Sequence, residues 1–196
     1  MKTINYKIIG NVKFYAIFSV ISFCPFLLDS KDKMDIFSVS PEMRKAKEIL
    51  LILKKGNYAA LEKYADPKKG IFVSPYIGCH SGLKLLRKDL KTTDRKKVWG
   101  SYDGTGDPIL LTMDEYFKRF VYAVDYLEKT DEIFINRIRG NAVSSMEDVF
   151  PESTFIEFYY KGSNDPFIGW RSLILVLKKR GKVIYLIGII NDEWEI

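Results

Sequence analysis

Cysteine and histidine are scarce. Two cysteines and one histidine cannot supply a Cys/His zinc cluster or a disulfide-built scaffold. Seven prolines and thirteen glycines in 196 residues are too few for a low-complexity or collagen-like chain. A strong excess of one charge is lacking too. The 31 Lys+Arg and 25 Asp+Glu leave a formal +6. The first thirty residues contribute Lys2, Lys7 and Lys13 against Asp29 alone, so residues 31–196 carry 28 basic and 24 acidic residues, or +4. That charge is mild and dispersed along the chain, and no nucleic-acid partner is expected from it. No internal repeat or low-complexity linker divides the chain. What is present suits a globular core: 47% hydrophobic and 14% aromatic residues, in a length that fits one large domain better than two small ones.

The longest uncharged apolar stretch, FYAIFSVISFCPFLL at 14–28, is fifteen residues long and contains Pro25. A bilayer-spanning helix wants about 20 such residues. A basic leader followed by a short apolar core is the pattern of a secretory signal peptide, although the small-x-small cleavage site after it is missing. A second route uses Cys24, because Ile21-Ser22-Phe23-Cys24 resembles a lipobox at its two leading positions and at the cysteine. Phe23 departs from the small residue expected there. Residues 1–28 are therefore expected to be a signal peptide or N-terminal anchor, and the polar segment 29–39 a tether. Residues 40–196 are left as one domain. Membrane contact is expected through the N-terminal segment only.

Ser40-Pro41-Glu42 opens the first helix, with a capping hydroxyl, a proline at the first helical position and an early acid. Met43, Ala46, Ile49, Leu50 and Leu53 recur at helical spacing, and Lys54-Lys55-Gly56 is a stop signal. Asn57 is positioned to cap a second short helix over 58–65. Residues 70–76 read as a strand and 83–91 as a short basic helix. Residues 97–102 and 108–111 read as strands flanking Asp103-Gly104-Thr105-Gly106. Thr112 and Glu115 form a capping box for a helix reaching about Tyr126. Strands are then expected at 133–138 and 154–161, with a one-turn helix near 145–149 between them. A final hairpin, 170–178 and 182–190, turns at Lys179-Arg180-Gly181. Helices first and long antiparallel strands last imply an α+β layout, with the helices on one side of a curved sheet.

Several segments carry a resemblance: Ser74-Pro75-Tyr76, Trp99 through Pro108, Tyr116 through Tyr122, Trp170-Arg171-Ser172-Leu173, and Gly188 through Trp194. In this order they resemble an uncharacterised family of exported bacterial proteins, many of them lipoproteins, over about residues 40–196. The resemblance implies export to the periplasm or cell envelope and carries no activity. That family often has histidine where this chain has Asn191. The element order also resembles the NTF2-like cone, whose curved sheet wraps a pocket and which hosts isomerases, dehydratases and pure binding modules.

Three groups of residues could carry chemistry. Trp99, Tyr102, Asp103 and Asp107 surround a glycine-rich turn, and a hairpin with local Asp caps explains them better than a calcium or phosphate loop. Cys79-His80 lacks the partners of a metal site and the facing geometry of a catalytic pair. The third group is expected at the rim of the cone. Tyr76, Trp99, Tyr102, Arg119, Tyr122, Trp170, Arg171 and Trp194 are the candidate ligand-binding residues. Asp103 and Asp192 are the candidate bases for an acid–base enzyme, with Tyr122 or Tyr76 as donor. Asp125 is a third carboxylate to weigh with them. A structural alternative pairs Arg171 with Asp192, and counting about Arg180 sets Trp170 opposite Ile190. No metal and no cofactor are expected. The expected function is that of an exported, non-enzymatic binding or interaction module of the cell envelope, with a small molecule or an envelope protein as partner. The alternative is an isomerase or hydratase.

Overall fold

The computed structural model describes residues 40–78, 81–92, 94–139, 143–162 and 169–194. The leader, the tether, Cys24 and the Cys79-His80 pair lie outside the described residues. Helix α1, Pro41–Lys54, begins where Ser40 Oγ accepts the Met43 N–H at 3.1 Å. It buries Met43, Ala46, Ile49, Leu50 and Leu53, the face set by the 3–4 residue spacing. Gly56, at φ +65°, turns the chain out of the helix. The next segment, Tyr58–Lys63, is a 3-10 helix, and the Asn57 side chain does not cap it. Tyr58 and Leu61, three residues apart, are both buried, which suits the three-residue turn.

Strand β1, Ile71–Ser74, pairs antiparallel with β2, Leu83–Leu85. Extended backbone thus replaces the start of the basic helix expected over 83–91, of which only Arg87–Lys91 forms a 3-10 turn. Gly70 explains the change. A Cβ there would lie 2.2 Å from the Leu85 carbonyl oxygen, so only glycine lets these backbones meet. Strands β3, Lys97–Ser101, and β4, Pro108–Leu111, form a separate two-stranded ribbon. Trp99 fastens it to the domain. Its ring is fully buried and stacked on Tyr116 at 4.1 Å, and its indole N–H donates to the Leu111 carbonyl at 2.8 Å.

The helix expected from Thr112 to Tyr126 is divided. Thr112 and Glu115 close the capping box on α2, Met113–Tyr116. The chain then widens into a π turn over Phe117–Val121, marked by the Tyr122 N–H donating to the Phe117 carbonyl at 2.7 Å. This wider turn draws Tyr116, Phe117, Phe120 and Val121 together into the core. Asp125 then caps a new helix, α3, Tyr126–Lys129.

The main sheet holds β5 (Glu132–Ile135), β6 (Thr154–Tyr160), β7 (Arg171–Arg180) and β8 (Val183–Glu193) in the order β2-β1-β8-β7-β6-β5. Among the described strand pairs of this sheet β1–β8 is parallel and the others are antiparallel. Its two faces bury different sets. Leu173, Leu175, Leu177, Ile156 and Phe158 join the larger core with α1 and α2. Ile174, Val176, Phe155 and Ile190 pack against Met146, midway along α4 (Val143–Val149), and Phe150, just past its end. Helices therefore cover both faces rather than one, which accounts for the near-continuous apolar run of β7.

The final hairpin departs from its expected register. Arg180 opposes Val183, so the turn is Gly181-Lys182, with Gly181 at φ +60°. A bulge between Val176 and Leu177 shifts the ladder once more. Arg171 consequently faces Glu193, not Gly188–Ile189, and Ser172 faces Asp192. The expected Arg171–Asp192 pair is replaced by Arg171–Glu193. Because side chains alternate along a strand, Asp192 belongs to the opposite face.

Candidate functional site

A cleft of about 840 Å³ opens where β1 and β8 end. Its walls come from four pieces of chain: the segment after β1, the turn after β3, the π turn, and the last residues of β8. The buried Ser74 hydroxyl lies 2.8 Å from the carbonyl oxygens of both Tyr76 and Ser81 and gathers that segment. The Asn191 amide donates to the Pro75 carbonyl at 3.0 Å and holds the segment against β8. The Tyr76 hydroxyl accepts the Asp103 N–H at 3.2 Å, which ties in the ribbon turn. Tyr76 and Tyr102 both pack on the Phe120 ring, so one buried aromatic supports two cleft-lining ones.

Arg119 projects from the π turn into the cleft. Its Nη1 donates to both Glu193 carboxylate oxygens, at 3.0 and 3.1 Å, while its guanidinium covers Phe120. Arg171 binds the same nearly buried Glu193 from behind and also donates to the Arg119 carbonyl at 3.4 Å. One carboxylate thus positions two guanidinium groups, one lining the cleft and one supporting it.

Asp192 lines the cleft on the other face of β8. Burial pushes its carboxyl up to about 6, and the neighbouring Glu157 charge adds to the rise, while Arg139 opposes it. Glu157, on β6, is itself raised by burial. Ser172 on the intervening strand donates to its Oε1 at 2.5 Å, and the Arg139 N–H donates to its Oε2 at 2.8 Å. Two carboxyl groups on one face, separated by a single strand, resist ionising together.

The structure brings Tyr76, Tyr102, Asp103, Arg119, Asp192 and Trp194 around this cleft. Trp99 belongs to the core instead. Tyr122 donates to Asp125 at 2.8 Å, beside Lys54, outside the cleft lining. Burial, and then the Asp125 carboxylate, hold the Tyr122 hydroxyl well above the usual phenol range. Trp170 packs on Tyr159 beneath the Arg139 guanidinium. Arg171 acts through Glu193. Asp103 is exposed in its turn and accepts the Gly104 N–H at 3.0 Å, a local cap. Among the described residues no group of three or more His, Cys, Asp or Glu side chains could hold a metal.

Sequence reasoning missed Glu193 and Glu157. Glu157 left a signal, as the one charge inside the apolar run TFIEFYY. Glu193 left none, because the bulge that turns it toward Arg171 is invisible in the alternation of β8. Comparison with known proteins returned no matching family, no matching curated protein and no matching solved structure.

Proposed function

We propose that this protein is an exported cell-envelope domain that binds a small ligand in the cleft without transforming it. The observation that carries the proposal is the make-up of the cleft: Tyr76, Tyr102 and Trp194 flank it, and the Arg119–Glu193 pair and the Asp192 carboxyl enter it from opposite faces of β8. Apolar walls with a few convergent polar groups are the general form of a ligand site. Trp194 is 60% exposed, an unusual position for an indole with no role in the core. Export, by signal cleavage or by lipidation at Cys24, is supported by the apolar segment behind a basic leader. The helix-then-sheet order and the bulged final strands support an NTF2-like cone.

The test is native mass spectrometry of the full chain purified from the envelope fraction. A bound small molecule is expected in the wild type, and it is lost in Tyr102→Ala/Trp194→Ala without a fall in melting temperature. A ligand-free wild type that no compound of a metabolite library stabilises overturns the binding reading. A cytoplasmic chain retaining Met1 overturns export.

One observation favours the acid–base alternative. Asp192, raised to about 6, shares the cleft with the Tyr76 hydroxyl, and a base near neutrality beside a donor is what an isomerase or hydratase requires. Tyr122 has no part in this reading. Loss of an identified turnover in Asp192→Asn, with ligand retention unchanged, would replace binding by catalysis.

A further inference from the structure

The end of the sheet opposite the cleft gathers cations that are scattered in sequence. The turn before β1 carries Lys68 and Lys69, the β7–β8 hairpin carries Lys179 and Lys182, and Lys88 follows β2; all five are exposed. Three contacts bring these pieces together. Arg180 of the hairpin binds Asp66 at 2.7 Å, Arg87 donates to the Ala65 carbonyl at 2.8 Å, and Ala65 bridges to Leu186 in β8. Several acids of this end are turned inward or paired, Glu62 with Lys91 among them. Asp66 is fully buried, Asp89 accepts the Leu86 N–H at 2.8 Å, and Glu152 pairs with Lys178. Among the lysines stand two large apolar side chains, Leu86 at 39% and Val183 at 49% exposure.

Helix α1 begins toward this end. Lys45 and Glu48 of α1, six or more residues before its end, contact Tyr64, whose carbonyl accepts the Leu186 N–H at 2.8 Å. Lys54 at the far end of α1 meets Asp125 and Glu128, just before β5. The start of β5 faces Tyr159, near the cleft end of β6. Helix α1 therefore runs from the lysine-rich end toward the cleft end, and Ser40 lies on the lysine side. Eleven tether residues, 29–39, reach at most about 40 Å.

The geometry points to a bilayer-docking surface: the lysine-rich end, with Leu86 and Val183 among its lysines, rests on anionic phospholipid headgroups while the cleft faces away. It rests partly on the reading of residues 1–39 as a leader and tether, and it adds a second membrane contact to the one expected there. Lysines near an anionic surface each contribute attraction that fades within a Debye length, and apolar side chains among them enter the headgroup layer. A surface for single-stranded nucleic acid would instead call for aromatic stacking platforms among the cations. Leu86 and Val183 offer none.

The experiment uses the full chain and sedimentation with vesicles of phosphatidylcholine alone or with phosphatidylglycerol added. The leader contributes equally in all variants, so the reading is the gain on adding phosphatidylglycerol. The wild type is expected to gain about tenfold or more in partitioning, and to lose that gain as salt is raised. Lys68→Glu/Lys69→Glu/Lys179→Glu/Lys182→Glu should abolish it, and the corresponding four changes to Gln should reduce it severalfold. A control of equal charge at other exposed sites, Lys55→Glu/Lys118→Glu/Lys129→Glu/Lys161→Glu, should keep most of it. No gain in the wild type, an equal loss in the control, or retention of the gain by the folded Gln variant overturns the proposal. Equal retention of the wild type on single-stranded DNA at the same salt also overturns it, in favour of a general polyanion surface. Vesicle results leave the cleft reading untouched, since no cleft residue is changed.

Discussion

Asp192→Asn is expected to stabilise the protein, although it alters a cleft residue. Burial holds the Asp192 carboxyl at about 6 in the folded state, against an ordinary value of 3.8. A folded-state value above the unfolded one means that the native state favours the protonated acid. Below about pH 4 the group is protonated in both states and its charge costs nothing. As pH rises from about 4 to 6 the unfolded chain ionises more readily than the folded one, and stability falls. Above about 6 the full cost is present. The shift converts to about 3 kcal/mol at most, and the solvent-facing side of Asp192 reduces the expectation to about 1–2 kcal/mol. Asparagine keeps the shape and removes the charge, so the variant should gain that amount at pH 8 and nothing near pH 4. In a domain of this size the gain corresponds to about 2–8 °C in melting temperature. Glu157 lies beside Asp192 and is raised by burial too, so Glu157→Gln/Asp192→Asn should gain less than the two single changes combined. The assay is thermal unfolding by circular dichroism at pH steps from 4 to 8, read as the difference between variant and wild type so that other carboxylates cancel. A variant less stable than wild type at pH 8, or a difference that does not vary with pH, refutes the reasoning and means that the Asp192 carboxylate has a compensating partner.

Other substitutions test the scaffold. Arg171→Ala removes one of two guanidinium groups holding the nearly buried Glu193 and should cost about 1–3 kcal/mol in urea unfolding; an unchanged transition midpoint would show that Arg171 serves the ligand rather than the fold. Trp99→Ala should cost about 3–5 kcal/mol, because it empties a buried site and leaves the ribbon without its anchor on Tyr116. The less drastic Trp99→Phe should lose less than half as much, and an equal loss would mean that the indole N–H bond to Leu111 dominates. Gly70→Ala combines a left-handed backbone with a clash against Leu85. It should destabilise by about 2 kcal/mol or more and speed amide exchange at Leu83–Leu85 ahead of β8. Uniform exchange across the sheet would argue against β2 as the strand that gives way.

Elements with a strong local code were legible in the chain alone. Ser40-Pro41 and Gly56 bracket α1, the spacing of Met43 through Leu53 marks the buried face of α1, and Thr112 and Glu115 cap α2, because capping and periodicity act within a few residues. The α+β class followed from the order of such segments. The expected rim positions that line the cleft, Tyr76, Tyr102, Arg119, Asp192 and Trp194, lie at strand ends or in the segments between elements, which local signals also mark. Tertiary contact decided the rest. Whether residues 83–85 extend depends on Gly70, thirteen or more residues away, accepting their backbone. The bulge at Val176 exchanged Asp192 for Glu193 as the partner of Arg171, since one inserted residue reverses the faces of all that follow. Charge behaves in the same way. Along the chain the lysines are dispersed, and only the closing of β8 against β1 collects Lys68, Lys69, Lys179 and Lys182 at one end, because electrostatic surfaces are summed in space and not in sequence.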